Sequence, residues 1–311
     1  MREYLMALMV SVRLMSTGEM MTNDELIISR VVMIGSGGLA LVGLVLNLVL
    51  VRVLWRIGEL WGSFTYRLVT WVAVGDGIVS LTILGGSVFR EILGYSGVVR
   101  SGWYCRVFGF GLLFGHNLSG LVISVIALDR YLVVRHSTRL RPLHICFVVG
   151  GIMVSYGTVL GINSYQNAFR MDLTKSFCLP HGKPISTVAE WFSTLLFNLP
   201  LFVLSFCYIT IFFVCRRIQR SNKKLLEGHR PARALVWISA YLVCYSPKLV
   251  GTIWYISSNA FPALPFCIIT ALGLNSIVAI NPILVLFLNK QVHKEVASMY
   301  FPQPNEISAH I

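Results

Sequence analysis

Seven times along the chain, a stretch of more than twenty residues runs almost wholly apolar, with few charges inside it. The stretches are Leu26–Leu54, Tyr66–Phe89, Trp103–Val134, His144–Tyr165, Ile185–Cys215, Ala232–Ser257 and Leu264–Leu288. Twenty helical residues measure about 30 Å, the thickness of a bilayer's hydrocarbon core. In lipid every backbone polar group must be satisfied within the protein, so runs of this length predict membrane-crossing helices. Gly-rich points at Gly35–Gly38 and Gly150–Gly151 soften two stretches and leave six or eight as alternative counts. Glycine lets membrane helices approach closely, and seven is kept. From Asn289 to Tyr300, apolar and basic residues recur at helical spacing, which predicts an amphipathic helix lying on the membrane surface. The expected fold class is all-α: a seven-transmembrane helix bundle over 26–288. A tail over 1–25 precedes it, and the amphipathic helix with a short tail over 289–311 follows.

Composition agrees with a lipid-facing surface. Apolar residues make up 56% of the 311 and charged residues 13%, and the mean hydropathy is +0.72. A soluble domain needs more charge to cover itself. A formal charge of +13 could suggest nucleic acid, but the basic residues are clustered between apolar spans and form no continuous patch. Such clusters read as loops at an anionic membrane surface, and no nucleic-acid partner is expected. Sixteen Lys and Arg fall on the side holding Arg130, Arg216 and Lys223, against nine on the side holding Arg90, Arg106 and Lys175. The excess predicts the first side as cytoplasmic and the amino terminus as extracellular. Leu5–Val12 behind Arg2 resembles a weak signal sequence, but Glu3 and Arg13 interrupt it. An extracellular tail is expected, with the first span as signal anchor.

Several polar residues stand where lipid-crossing helices rarely carry them. Cys105 and the triplet Asp129-Arg130-Tyr131 lie at opposite ends of the third span, 25 residues or about 37 Å apart. Asp76 sits mid-span, where a charge costs about 2.5–3.5 kcal/mol even on a lenient scale. It must therefore face polar partners inside the bundle, and Asn47, Ser119 and Asn281 are available. Pro200, Pro247 and Pro282 each remove a helix hydrogen bond and create a kink. Such a kink is either static shape or a hinge.

Asn47, Asp76, Cys105, Arg130, the Pro200/Tyr208 pair, Cys244-Tyr-Ser-Pro247 and Asn281-Pro282, in this order and on these spans, resemble the rhodopsin-like (class A) family of G-protein-coupled receptors. The resemblance covers nearly the whole bundle. It implies a multi-pass plasma-membrane receptor with a heterotrimeric G protein as partner and no catalysis of its own. It implies a disulfide between Cys105 and Cys178, both on the predicted outer, oxidising side. Arg130, paired locally with Asp129, would contact the carboxyl-terminal helix of a Gα subunit when the sixth helix swings outward on Pro247. Glu227 is a further expected partner of Arg130. In the family the Asp76 cluster holds a sodium ion with water; a purely structural hydrogen-bonded knot is the alternative. Tyr208, Tyr245 and the three prolines are the expected moving parts.

The ligand pocket is expected in the outer half of the bundle, lined by Leu112, Leu113, His116, Asn117, Phe197, Tyr245, Lys248 and Asn275. Amine receptors of the family carry Asp at the position of Leu112, and opsins carry their retinal-binding Lys at that of Asn275. Neither ligand class is expected here. Lys248 lies nine residues, about 13 Å, inward from Ser257. Either it meets an acidic group on the ligand, or it snorkels or pairs with Glu190. The sequence also departs from the family: Val285 replaces the helix-seven Tyr, Tyr245 the helix-six Trp, and Gly120 a branched apolar residue, with Tyr241 below Tyr245. The rival readings are a seven-helix transporter or channel, which would usually show internal repeats or broken helices, and a retinal protein using Lys248.

Overall fold

The computed structural model describes residues 23–57, 64–100, 102–171, 176–180, 184–221, 231–258 and 263–300. Seven long helices follow one another: α1 (Asn23–Arg56), α2 (Phe64–Arg100), α3 (Gly102–His136), α4 (Pro142–Tyr165), α5 (Pro184–Ser221), α6 (Pro231–Ser258) and α7 (Leu264–Leu288). A short α8 (Lys290–Tyr300) follows α7. Between α4 and α5 lie two strands, β1 (Phe169–Met171) and β2 (Cys178–Pro180), paired antiparallel with Met171 opposite Cys178. The tail over 1–22, Glu227 and everything past Tyr300 lie outside the described residues.

All seven predicted spans are helices. The chief difference in extent is α2, which continues past Phe89 to Arg100 and is broken at Gly94 (φ 66°, ψ 167°). Only glycine adopts that backbone at no steric cost, so the axis can turn there. The helices contact one another in a ring, α1–α2–α3–α4–α5–α6–α7 and back to α1, with α3 also packed on α5. That makes α3 the central post, and its run from Leu112 to Ser124 is buried apart from Phe114. Among the described residues, α1 to α5 and α7 are long and apolar enough to cross a membrane. The outward faces are apolar, with Ile34 at 74% and Phe147 at 71% exposure. Patches of that extent need a nonpolar solvent or a partner.

The predicted amphipathic helix is α8. Its Val292 is fully buried against Val53, Leu54 and Leu286, and Glu295 meets Arg56 at 3.4 Å. Part of its apolar side is thus committed to α1 and α7.

Candidate functional site

Three polar or cysteine-bearing layers line the bundle from one end to the other. At the first end, Cys105 on the second turn of α3 is bonded to Cys178 on β2. The short β1–β2 hairpin is thereby held across the bundle, and Phe169 is buried beneath it. Under the hairpin lies a small cavity of about 20 Å³, room for about one water, whose walls include Met33, Thr82, Tyr104, Phe108, Leu112 and Phe177. Arg90, expected in an outer loop, is instead inside α2 at 6% exposure, where its Nη2 donates to Ser29 Oγ at 2.7 Å. Ser29 Oγ in turn lies 3.4 Å from Oγ of Ser176, another residue of the cavity wall.

The residues expected to line the pocket mostly fill it. Of the eight, Leu112 alone borders this cavity. His116 Nε2 lies 3.4 Å from Asn275 Oδ1, and the Asn275 amide donates to Ser36 Oγ at 3.0 Å. Rings of His116 and Phe197 are 6.2 Å apart, and those of Phe197 and Tyr245 are 6.3 Å apart. Asn117 turns away toward α4, donating to Leu113 O at 2.8 Å and Tyr156 Oη at 3.1 Å. Lys248 is half-buried. Asn117 Oδ1 and the Tyr245 hydroxyl are buried without a hydrogen-bond partner among the described residues.

The middle layer is a polar knot. Both amide hydrogens of Asn281 are used: one donates to Asp76 Oδ2 at 2.7 Å, the other to Ser119 Oγ at 3.3 Å. The Tyr241 hydroxyl donates to Asn281 Oδ1. The knot therefore joins α2, α3, α6 and α7. Asn47 stands beside it, donating to Gly43 O at 2.9 Å and Val278 O at 3.0 Å. Its hydrogen bonds go to backbone carbonyls and not to Asp76. In this layer three buried oxygens, Asp76 Oδ1, Ser80 Oγ and Asn47 Oδ1, have no hydrogen-bond partner among the described residues. Ser80 was not singled out from the sequence, although it follows Asp76 by four residues and so shares its helix face.

At the far end, Asp129 and Arg130 form no ion pair among the described residues. Successive helical residues point about 100° apart. Asp129 is turned inward, where Oδ1 accepts the Leu140 N–H at 3.2 Å, while Arg130 is exposed. The Tyr131 ring packs on Phe206 at 5.6 Å. Pro200, Pro247 and Pro282 lie inside α5, α6 and α7.

Residues 46–284 match the family described as 7 transmembrane receptor (rhodopsin family). The chain belongs to this family. It is therefore a multi-pass membrane protein, as the apolar outward faces require. The chain is 22% identical to the blue-sensitive opsin of Oryzias latipes over 288 residues, 80% of this chain and 74% of that one. It is 24% identical to Opsin-VA of Rutilus rutilus over 268 residues, 80% of this chain and 68% of that one. It is 26% identical to G-protein coupled receptor 35 of Mus musculus over 141 residues. That last match spans 44% of this chain and 46%, about half, of the mouse receptor's length. In a rhodopsin-family receptor the disulfide, the knot and the Arg130 end stand in line along one central helix, α3.

Proposed function

We propose that this protein is a plasma-membrane receptor, amino terminus outside, that converts ligand binding in the outer half of the bundle, at the β1–β2 end, into activation of a heterotrimeric G protein. The observation that carries this reading is the knot of Asp76, Ser119, Asn281 and Tyr241, which ties four helices together midway between the cavity and Arg130. A ligand that favours a different packing of these helices shifts the population of the whole bundle. Hinged at Pro247, α6 moves its inner end away from α3. That motion opens a cleft around Arg130, whose exposed guanidinium is the anchor for the carboxyl-terminal helix of a Gα subunit.

Sodium fits the knot. Asp76 Oδ1, Ser80 Oγ and Asn47 Oδ1 are buried oxygens without partners among the described residues, and a hard cation takes oxygen ligands. When bound, the ion would neutralise the Asp76 carboxylate and favour the closed packing. Replacing NaCl by N-methylglucamine chloride is expected to raise basal nucleotide exchange, and Asp76→Asn to remove the difference. An Asp76→Asn protein with undiminished sodium dependence would place the effect elsewhere.

The relatives named as opsins raise a retinal reading, but at the position where opsins carry lysine, the Asn275 amide is held between His116 and Ser36. A carboxamide cannot form a Schiff base with an aldehyde.

Coupling is tested by nucleotide exchange on a panel of Gα subunits with reconstituted receptor. Wild type is expected to accelerate at least one subunit, and Arg130→Ala to abolish that acceleration while retaining surface expression. Equal exchange with both proteins across the panel would sink the coupling reading.

A further inference from the structure

We propose that the groove between α1 and α8 is a site for one anionic phospholipid, its headgroup phosphate held between Arg52 and Arg56. An open groove of about 380 Å³ runs where the two helices meet, walled by Leu48, Val51, Arg52, Trp55 and Arg56 of α1 and by Met299 of α8. The α1 residues recur at three- and four-residue intervals and so share one helix face. That face changes character along its length. Leu48 and Val51 are apolar and lie deeper in the span, while Trp55 and the arginines stand toward its end. An acyl chain against the first pair and a charged headgroup against the arginines match that gradient.

Charge selects the lipid. Glu295 on α8 meets Arg56 Nε at 3.4 Å and neutralises one of the two guanidiniums. Arg52 is exposed and forms no ion pair among the described residues. It lies four residues, about 6 Å, further into the span than Arg56. A guanidinium at that depth must reach for the headgroups or draw an anion to itself. One surplus positive charge at a membrane-facing groove matches one phosphodiester, and the N–H fork of arginine suits phosphate oxygens in pairs. A choline headgroup would set its own cation beside Arg56. Phosphatidylserine, which carries a carboxylate beside its ammonium, keeps a net negative charge there.

The depth of the groove suits a headgroup as well. Trp55 is 75% exposed in its wall, and an amphipathic ring of this kind settles at the membrane–water interface. Val292 is sealed against Val53 and Leu54, whereas Met299, two turns further along α8, is only half-buried. A lipid lying against Met299 and Arg52 extends the α1–α8 contact beyond Val292 and fastens α8 to α1 from the membrane side. Which leaflet supplies the lipid rests on the orientation proposed above. The binding does not, and it is measured without ligand or G protein.

The full chain, purified in a nonionic detergent, is titrated with phosphatidylserine or with phosphatidylcholine of the same acyl chains, and bound lipid is counted by native mass spectrometry. Wild type is expected to take up its first phosphatidylserine about tenfold more tightly than phosphatidylcholine, since each arginine near an anionic headgroup is worth about fivefold in affinity. Arg52→Gln, which leaves the Arg56–Glu295 pair in place, is expected to weaken that first binding about fivefold. R52Q/R56Q is expected to weaken it about twenty- to thirtyfold, with phosphatidylcholine binding unchanged. Glu295→Gln removes the competing carboxylate and is expected to tighten it. Arg216 and Arg217, exposed on α5, supply the control: R216Q/R217Q removes the same charge elsewhere and leaves the first binding as it was. Equal losses in the two double variants would reduce the effect to diffuse attraction and overturn the site. A wild type that binds the two lipids alike would overturn it too.

Discussion

Gly115→Leu is expected to yield almost no folded receptor, while Gly150→Leu yields as much as wild type or slightly more. The difference follows from what each new side chain meets. A Cβ on Gly115 would stand 2.7 Å from Val79 Cγ2, 2.8 Å from Gly75 O and 3.1 Å from Val79 N. The facing Gly75 is equally tight, with Gly115 O and Ser119 N each 3.0 Å from its Cβ position. Here α2 and α3 touch backbone to backbone, and no rotamer change relieves a clash with a carbonyl. Overpacking a core costs about 1–3 kcal/mol when side chains can yield. Where helices must separate, the cost exceeds that. Separation would also undo the knot, because Asp76 and Ser119 follow the two glycines by one residue and four. Gly150 faces open space on α4, where losing glycine favours the helix by up to about 1 kcal/mol. Size-exclusion profiles of tagged protein and thermal unfolding in detergent would check both. A monodisperse Gly115→Leu protein with wild-type melting behaviour would show that this crossing is looser than its distances imply.

What could be read in advance divides along a physical line. Lipid imposes a requirement on every residue of a span, so the seven helices announced themselves as unbroken apolar runs. Asp76 and Asn281 stood out because a polar residue has few permitted places in such a bundle, and the Cys105/Cys178 pair through the family resemblance. Partner choice was a different matter. Asp129 was assigned to its neighbour Arg130, yet it accepts the N–H of Leu140, eleven residues on and beyond the helix end. Helix geometry turns adjacent side chains apart, and nothing local marks the loop that folds back. Arg90 was counted as a loop charge because helix two was ended at Phe89; the continuation to Arg100 puts it inside and pairs it with Ser29. The three-residue strands are too short for any period to show. Residues that can line a pocket can equally fill it. His116, Asn275 and Ser36 form a chain of polar contacts that only coordinates reveal. Tyr241 was noted as a departure, but its acceptor forty residues away on α7 was not.

Replacing both Cys105 and Cys178 with Ala is expected to leave the seven-helix bundle folded but to release its hairpin. The bond closes a loop of 73 residues, and opening one of that size gives the unfolded chain an entropic advantage of about 4–5 kcal/mol. The bundle has other means of support, since α3 is buried along most of its length against α2, α4 and α5. The hairpin has few. Its pairing involves three residues on each strand, its Phe169 packs over Gly109, and Met171 Sδ lies 3.6 Å from Cys178 Sγ. Two strands of that length are not stable alone in water. Hydrogen exchange read by mass spectrometry is therefore expected to show Phe169–Met171 and Cys178–Pro180 losing their protection by more than about tenfold. The α3 amides near Asp129 should stay protected, as elements with separate opening energies do. The cavity would lose the wall formed by Ser176, Phe177 and Cys178. Full protection of the hairpin in the double-Ala protein would mean that packing on Gly109 suffices to hold it. The disulfide would then be redundant to the site it closes.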